Sequence, residues 1–323
     1  MDNKAIKTQD KNNDMLLEKQ GVQGTAVGKK IINGRQTQDD AILVFVQKKY
    51  SPRSISSPNI LTKFSAEDLI PDEIDGIPTD VIEVGNIKKQ AKAQKKGFRH
   101  PVRPIRPGFS VGHAQVTCGT IGGIFRDDKD RVVILSNNHV IANENNARAG
   151  DLIYQPGRTD SKRSFKNKGW PEPVHKLPYI GTLDKFVKIK SNNNTQDSAI
   201  ALIHPKLIED DMLNLKYPLI NKKLTGFEQP KVGMKVQKFG RTTGHTKGKI
   251  IGLNATFSIE YDFGMARFNK CVVLSAMSQG GDSGSIIQTM DNKAVGLLFA
   301  GSPRVTIANP IGLVKEYYKL KIY

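Results

Sequence analysis

Apolar and polar positions fall into two textures along this chain. Up to Ile87 a few strong runs stand apart. Ala41-Ile-Leu-Val-Phe-Val46 is continuously apolar and predicts a buried strand, with Gly21 to Ile32 as a strand or hairpin leading into it. Thr79-Asp-Val-Ile-Glu-Val84 predicts another strand. Phe64 to Ile70 predicts a short helix, with Ser65 as N-cap and Asp68 three residues later. From Phe109 onward, short β-rich runs recur between Gly, Asn, Pro and Asp clusters. They include Val116–Phe125, Arg131–Leu135, Ile180–Ile189, Ala199–Ile203, Met234–Phe239, Lys249–Phe257, Lys270–Leu274, Gly284–Gln288 and Ala294–Phe299. Many short strands with turn signals predict antiparallel sandwiches or barrels. The last segment differs, because Leu313, Tyr317 and Leu320 recur at helical spacing.

These textures divide the chain into four parts. Residues 1–20 are polar and read as a disordered tail. Residues 21–87 form a small α+β module. Residues 88–107 form a basic linker closed by Pro101, Pro104 and Pro107, which favour extended backbone. Residues 108–323 form the β-rich domain. With 38% hydrophobic and 25% charged residues over 323 positions, a packed core is expected and wholesale disorder is excluded. No run of eighteen apolar residues predicts a membrane span. The N-terminus has no apolar core of the secretory type. Cys118 and Cys271 lie far apart and in no CxxC pair, so two free thiols in a cytoplasmic protein are expected.

Charge adds one point. The net balance is +18, and Lys88 to Arg106 carries eight Lys or Arg and no acid. Such a surface favours anionic partners, nucleic acid among them, or serves solubility alone. No nucleic-acid-binding motif accompanies it. HExxH is absent and no His/Cys cluster has zinc-ligand spacing, so no metal or organic cofactor is called for. Oligomeric state is not legible.

The sharpest chemical signal is Gly280-Gly-Asp-Ser-Gly-Ser285. A serine hydroxyl is a weak nucleophile without a base beside it, and its loop must aim amides at a developing oxyanion. Glycines permit such a loop. Of six histidines, His139 follows the strong strand Val132–Ser136, which suits a positioned base. Asp197 opens Asp-Ser-Ala-Ile-Ala-Leu-Ile203 at the lip of another apolar strand and can hold the imidazole tautomer.

His139, Asp197 and Ser283 resemble, in order, spacing and context, the triad of chymotrypsin-fold (trypsin-like) serine peptidases. Ser-Asn-Asn-His-Val140 is similar to the family's histidine motif, Asp197-Ser-Ala-Ile-Ala-Leu to its aspartate motif, and Gly-Asp-Ser-Gly to its nucleophile loop. Gly240-Arg-Thr-Thr-Gly-His-Thr-Lys-Gly248 resembles a stretch of the bacterial alpha-lytic and streptogrisin-like branch. The resemblance covers residues from about Pro107 to Tyr323.

It implies a mainly β fold: a double six-stranded antiparallel barrel with a C-terminal helix, preceded by the α+β module. It implies a serine endopeptidase with protein or peptide substrates. His139 would be base and then acid, Asp197 its orienter and Ser283 the nucleophile, with the amides of Gly281 and Ser283 as oxyanion hole. The substrate-binding residues would be Met277, Phe299, Ala300 and Gly301. Met277 stands at the pocket floor, where no carboxylate meets a P1 Arg or Lys, although a methionine there also fits ordinary core. No histidine flanks Leu298, which disfavours a Glu-selective pocket. Phe299 stands where the family usually has a serine beside the triad acid, and Val140 where many members have Cys. The loop carboxylate Asp282 would be held by Lys238 or, alternatively, Arg241. The contrasting reading is a catalytically latent regulatory or binding protein on the same fold. The N-terminal module would restrain the catalytic part or serve as a permanently attached domain.

Overall fold

The computed structural model describes residues 3–32, 35–50, 66–89, 98–164, 179–209 and 213–323. An N-terminal helix spans Asn3–Glu18 and is followed by β1 (Val22–Ile32), β2 (Arg35–Val46), β3 (Glu73–Ile74), β4 (Ile77–Glu83) and β5 (Lys88–Lys89). The helix corrects the expectation of a disordered tail. Its inward face carries the buried Ala5 and Leu16, but also Thr8, Gln9 and Asn13. Gln9 Nε2 donates to Thr25 Oγ1 at 2.9 Å, and Asn13 Nδ2 to Thr256 Oγ1 at 2.7 Å. A face built on buried amides is invisible to hydrophobic periodicity. The residues proposed for a Phe64–Ile70 helix yield one 3₁₀ turn at Ala66–Asp68, and Ser65 lies outside the described residues.

The next strands are β6 (Ser110–His113), β7 (Gly119–Thr120), β8 (Gly123–Arg126), β9 (Val132–Ser136), β10 (Leu152–Tyr154), β11 (Tyr179–Phe186) and β12 (Ala199–Ile203). β7 pairs with β6, and β8 with β9, so residues 119–126 act as one bent strand. That strand closes the ring through β9, β12, β11, β10 and β6. Every residue of β9 is buried, which explains its unbroken apolar run. Ala199 pairs with Ser136 across the β9–β12 ladder. The chain leaving β9 and the chain entering β12 therefore emerge at one rim.

The second barrel holds β13 (Gly226–Phe227) at its margin, then β14 (Lys235–Gly240), β15 (Gly244–Tyr261), β16 (Gly264–Ser275), β17 (Ile286–Thr289), β18 (Lys293–Gly301) and β19 (Val305–Pro310). The order β14-β17-β18-β19-β16-β15 closes through a further β14–β15 pairing, giving six strands. The C-terminal helix, Ile311–Tyr318, buries Ile311, Val314 and Tyr318, while Tyr317 faces solvent. β20 (Lys321–Ile322) then returns to β8 of the first barrel.

The module of residues 21–87 is not a separate body. β1 pairs antiparallel with β15, and β2, β4 and β3 extend the same sheet. Ala26, Leu43 and Phe45 share one core with Phe257, Phe268 and Ile307, and the Phe45 and Phe257 rings lie 5.5 Å apart. The expected linker is also structured where described. Lys88 and Lys89 pair with Gly301 and Ala300, Phe98 packs on Phe109, and Ile105 is fully buried. Residues 90–97 lie outside the described residues.

A tail can lose an apolar side chain silently, whereas a docked helix cannot. Leu16→Ala is expected to destabilise the protein by about 2–5 kcal/mol. Chemical denaturation of the two chains checks it.

Candidate active site

His139 lies on a helical turn, Asn138–Ile141, directly after β9, and Asp197 lies two residues before β12. The β9–β12 register brings them together. Asp197 Oδ2 accepts a hydrogen bond from His139 Nδ1 at 2.5 Å, and Oδ1 accepts one from the His139 amide at 3.3 Å. Asn137 Nδ2 donates to the Asp197 carbonyl, and Asn309 Oδ1 accepts from the Asp197 amide. The carboxylate is fully buried, where a charge requires donors. A third donor comes from the end of β15: the Tyr261 hydroxyl meets Oδ2 at 2.7 Å. His139 Nε2 is buried and has no hydrogen-bond partner among the described residues.

Ser283 occupies the loop between β16 and β17. Gly281 and Gly284 flank it at φ of 93° and 92°, a region other residues rarely enter. A side chain at Gly284 would also strike Thr120 O and Ser136 Oγ. The loop is pressed on the first barrel, since the Thr120 amide donates to the Ser283 carbonyl at 2.8 Å. Gly119 marks the meeting point: a Cβ there would touch both Val140 and Ser283 O. Ser283 Oγ itself donates to the Phe299 carbonyl at 3.3 Å, not to His139. Two members of the expected triad are thus hydrogen-bonded, and the third is turned away. The amides of Gly281 and Ser283 make no main-chain hydrogen bond among the described residues.

Asp282 is fully buried. Its Oδ1 accepts the amides of Thr242 and Thr243, and its Oδ2 accepts Thr243 Oγ1 and the Gln279 amide. Lys238 Nζ lies 3.1 Å from Oδ2, with both side chains wholly buried. Burial lowers the Lys238 pKa, and the Asp282 charge opposes that shift. Arg241 does not reach Asp282. It grips Asp160 through Nε at 2.6 Å and a terminal nitrogen at 2.7 Å, a planar fork matched to a carboxylate. Burial pulls its pKa down, but the Asp160 hydrogen bonds and the surrounding negative charges together outweigh this and the net shift is upward.

Met277 is buried among Val236, Ile250 and Leu298, and also borders a cavity of about 690 Å³. Asn86, Lys88, Lys89, Ser278 and Gly301 line the same cavity, and among the described residues no carboxylate does. Phe299 packs on Phe268, while Ala300 and Gly301 pair with β5. Sequence reasoning missed Tyr261, the Lys89–Glu144–Asp262 cluster beside it, and Asp160. None sits in a recognisable motif. Both cysteines are free and buried, and burial raises the Cys118 thiol to about 11.

Two closed six-stranded barrels, with this seam between them, make the protein a serine peptidase of the chymotrypsin fold. The chain belongs to peptidase family S64, whose model matches residues 140–302. That match takes in Asp197 and Ser283 and starts one residue past His139. No curated protein matches the chain in sequence. Among solved structures, a glutamic acid-specific serine protease described as using a histidine triad in substrate binding is similar. It has 16% identity and a TM-score of 0.47, covering 68% of this chain and all of that one. Thermobifida fusca protease A is similar at 18% identity and a TM-score of 0.45, covering 67% of this chain and 97% of that one. Cellulomonas bogoriensis chymotrypsin is similar at 18% identity and a TM-score of 0.45, covering 68% and 99%.

Removing one partner of a wholly buried pair leaves an uncompensated charge. Lys238→Met is expected to destabilise the protein by about 3–5 kcal/mol. Adding Asp282→Asn should recover part of that loss, and a double-mutant cycle measured by denaturation checks it.

Proposed function

We propose that the protein is a serine endopeptidase acting through His139, Asp197 and Ser283 and an acyl-enzyme. The observation that supports this reading best is the buried His139–Asp197 pair, whose open Nε2 lies at the seam carrying Ser283. Rotation of the Ser283 side chain from the Phe299 carbonyl toward Nε2 completes the relay. The hydroxyl oxygen then attacks the peptide carbonyl as Nε2 takes its proton. The amides of Gly281 and Ser283 stabilise the oxyanion. Collapse expels the amine with the proton from Nε2, and water repeats the sequence on the acyl-enzyme. Asp282, held by Lys238, fixes the loop that carries these amides. No step calls on a metal or organic cofactor.

The cavity beside Met277 is read as the pocket for the P1 side chain. Among the described residues its wall carries Lys88 and Lys89 and no carboxylate, which disfavours a cationic P1 residue. β5 lies antiparallel on Ala300 and Gly301, at an edge where an extended substrate would add as a strand. In this reading the N-terminal part restrains the enzyme by covering that edge.

Ser283→Ala and His139→Ala are each expected to abolish hydrolysis without unfolding the chain, because triad members act as a unit. A fluorophosphonate probe should label wild type and spare Ser283→Ala. Labelling that persists there, or turnover that survives His139→Ala, would refute the assignment; no labelling of either chain would favour a latent binding protein.

The double change Lys88→Pro, Lys89→Pro removes two donors from β5. It is expected to lower KM for a peptide substrate severalfold. An unchanged KM would remove the restraining role.

A further inference from the structure

The Asp197 carboxylate is held unevenly. Among the described residues its Oδ1 receives one hydrogen bond, from the His139 amide at 3.3 Å. Its Oδ2 receives two short ones, from His139 Nδ1 at 2.5 Å and the Tyr261 hydroxyl at 2.7 Å. The remaining polar contacts of the residue, with Asn137 and Asn309, fix its main chain and leave the carboxylate alone. The terminal torsion of an aspartate has broad, roughly two-fold wells, so a carboxylate with few donors turns readily. Without the phenol, one donor would remain on the oxygen that faces the imidazole.

We propose that Tyr261 is the positioning residue of the acid–base pair, its hydroxyl locking the Asp197 carboxylate in the orientation that aims His139. This rests on the peptidase reading above. Tyr261 belongs to the barrel that carries Ser283, whereas His139 and Asp197 belong to the other. The phenol therefore registers the acid against the barrel of the nucleophile, a contact that the pair cannot make by itself.

The phenol is itself held. Tyr261 pairs with Gly264 at the end of the β15–β16 hairpin. Its ring stacks on Phe263 at 5.6 Å and Phe268 at 5.8 Å, and meets the His139 ring edge-on at 6.2 Å. The Asp262 amide donates to Glu144 Oε2 at 2.7 Å, and Lys89 pairs with both Glu144 and Asp262. Burial, reinforced by the Asp197 charge, raises the Tyr261 pKa well above its ordinary value, so the hydroxyl keeps its proton and remains a donor. A phenylalanine would supply the same stack. Among the described residues the hydroxyl's hydrogen-bond partner is the Asp197 carboxylate, which is what a buried hydroxyl requires.

Tyr261→Phe keeps the ring and removes the donor. kcat for a peptide substrate is expected to fall roughly 10- to 100-fold, as for loss of a hydrogen bond to a charged group, with KM within about twofold. A second measurement is independent of turnover. In the Ser283→Ala chain, adding Tyr261→Phe is expected to shift the low-field proton resonance of His139 Nδ1. An unmoved resonance, with or without a loss of rate, would overturn the proposal, and so would a kcat within about twofold of wild type. Peptide hydrolysis that survives Ser283→Ala would instead defeat the peptidase reading, and the resonance would still decide the role of Tyr261.

Discussion

A fully buried carboxylate at the seam of two barrels sets the terms for the rest of this structure. Asp197 carries charge where water does not reach, so hydrogen-bond donors must be delivered to it. The helical turn after β9 delivers the imidazole and an amide, and the end of β15 delivers a phenol. Each donor constrains the element that bears it. The β9–β12 register, the position of the β15–β16 hairpin and the approach of the two barrels are thus parts of one arrangement.

The seam repeats this logic twice more. Asp282 takes five donors from its own barrel, the Lys238 ammonium among them, and so shapes the loop that bears Ser283. Asp160, on the first barrel, takes the Arg241 fork from the second and a hydroxyl from Ser110. Thr120 ties the two together, accepting the Arg241 amide and donating to the Gly281 carbonyl. Buried ion pairs of this kind contribute little net stability, but losing one partner is costly. Their consequence here is registry, because the nucleophile loop meets the first barrel in one position only.

The N-terminal part follows a different principle. It adds strands to the long β15 and shares the apolar core of the second barrel, so its attachment is continuous sheet rather than a docking surface. Its last described strand lies on β18, and Lys89 then joins Glu144 and Asp262 beside the Tyr261 ring. One short segment therefore touches both the edge of β18 and the hairpin that supports Asp197. The strand edge and the acid are neighbours through this segment.

What the sequence by itself determined was whatever rests on local stereochemistry. Apolar runs such as Val132–Leu135 and Ala199–Ile203 specify buried strands, and the glycines around Ser283 specify backbone that other residues resist. The places of His139 and Asp197 at strand ends were legible for the same reason. The N-terminal helix was not, because the polar Thr8, Gln9 and Asn13 fill much of its buried face. Nor was the choice between Lys238 and Arg241, since both are cations in one stretch of chain. Only the packed barrels put one within reach of Asp282 and turned the other toward Asp160. Tyr261 stands 64 residues from Asp197 along the chain, and no local pattern relates them. Their contact exists because one residue emerges at the rim of the first barrel and the other at the tip of a hairpin in the second, and tertiary packing alone brings those points together.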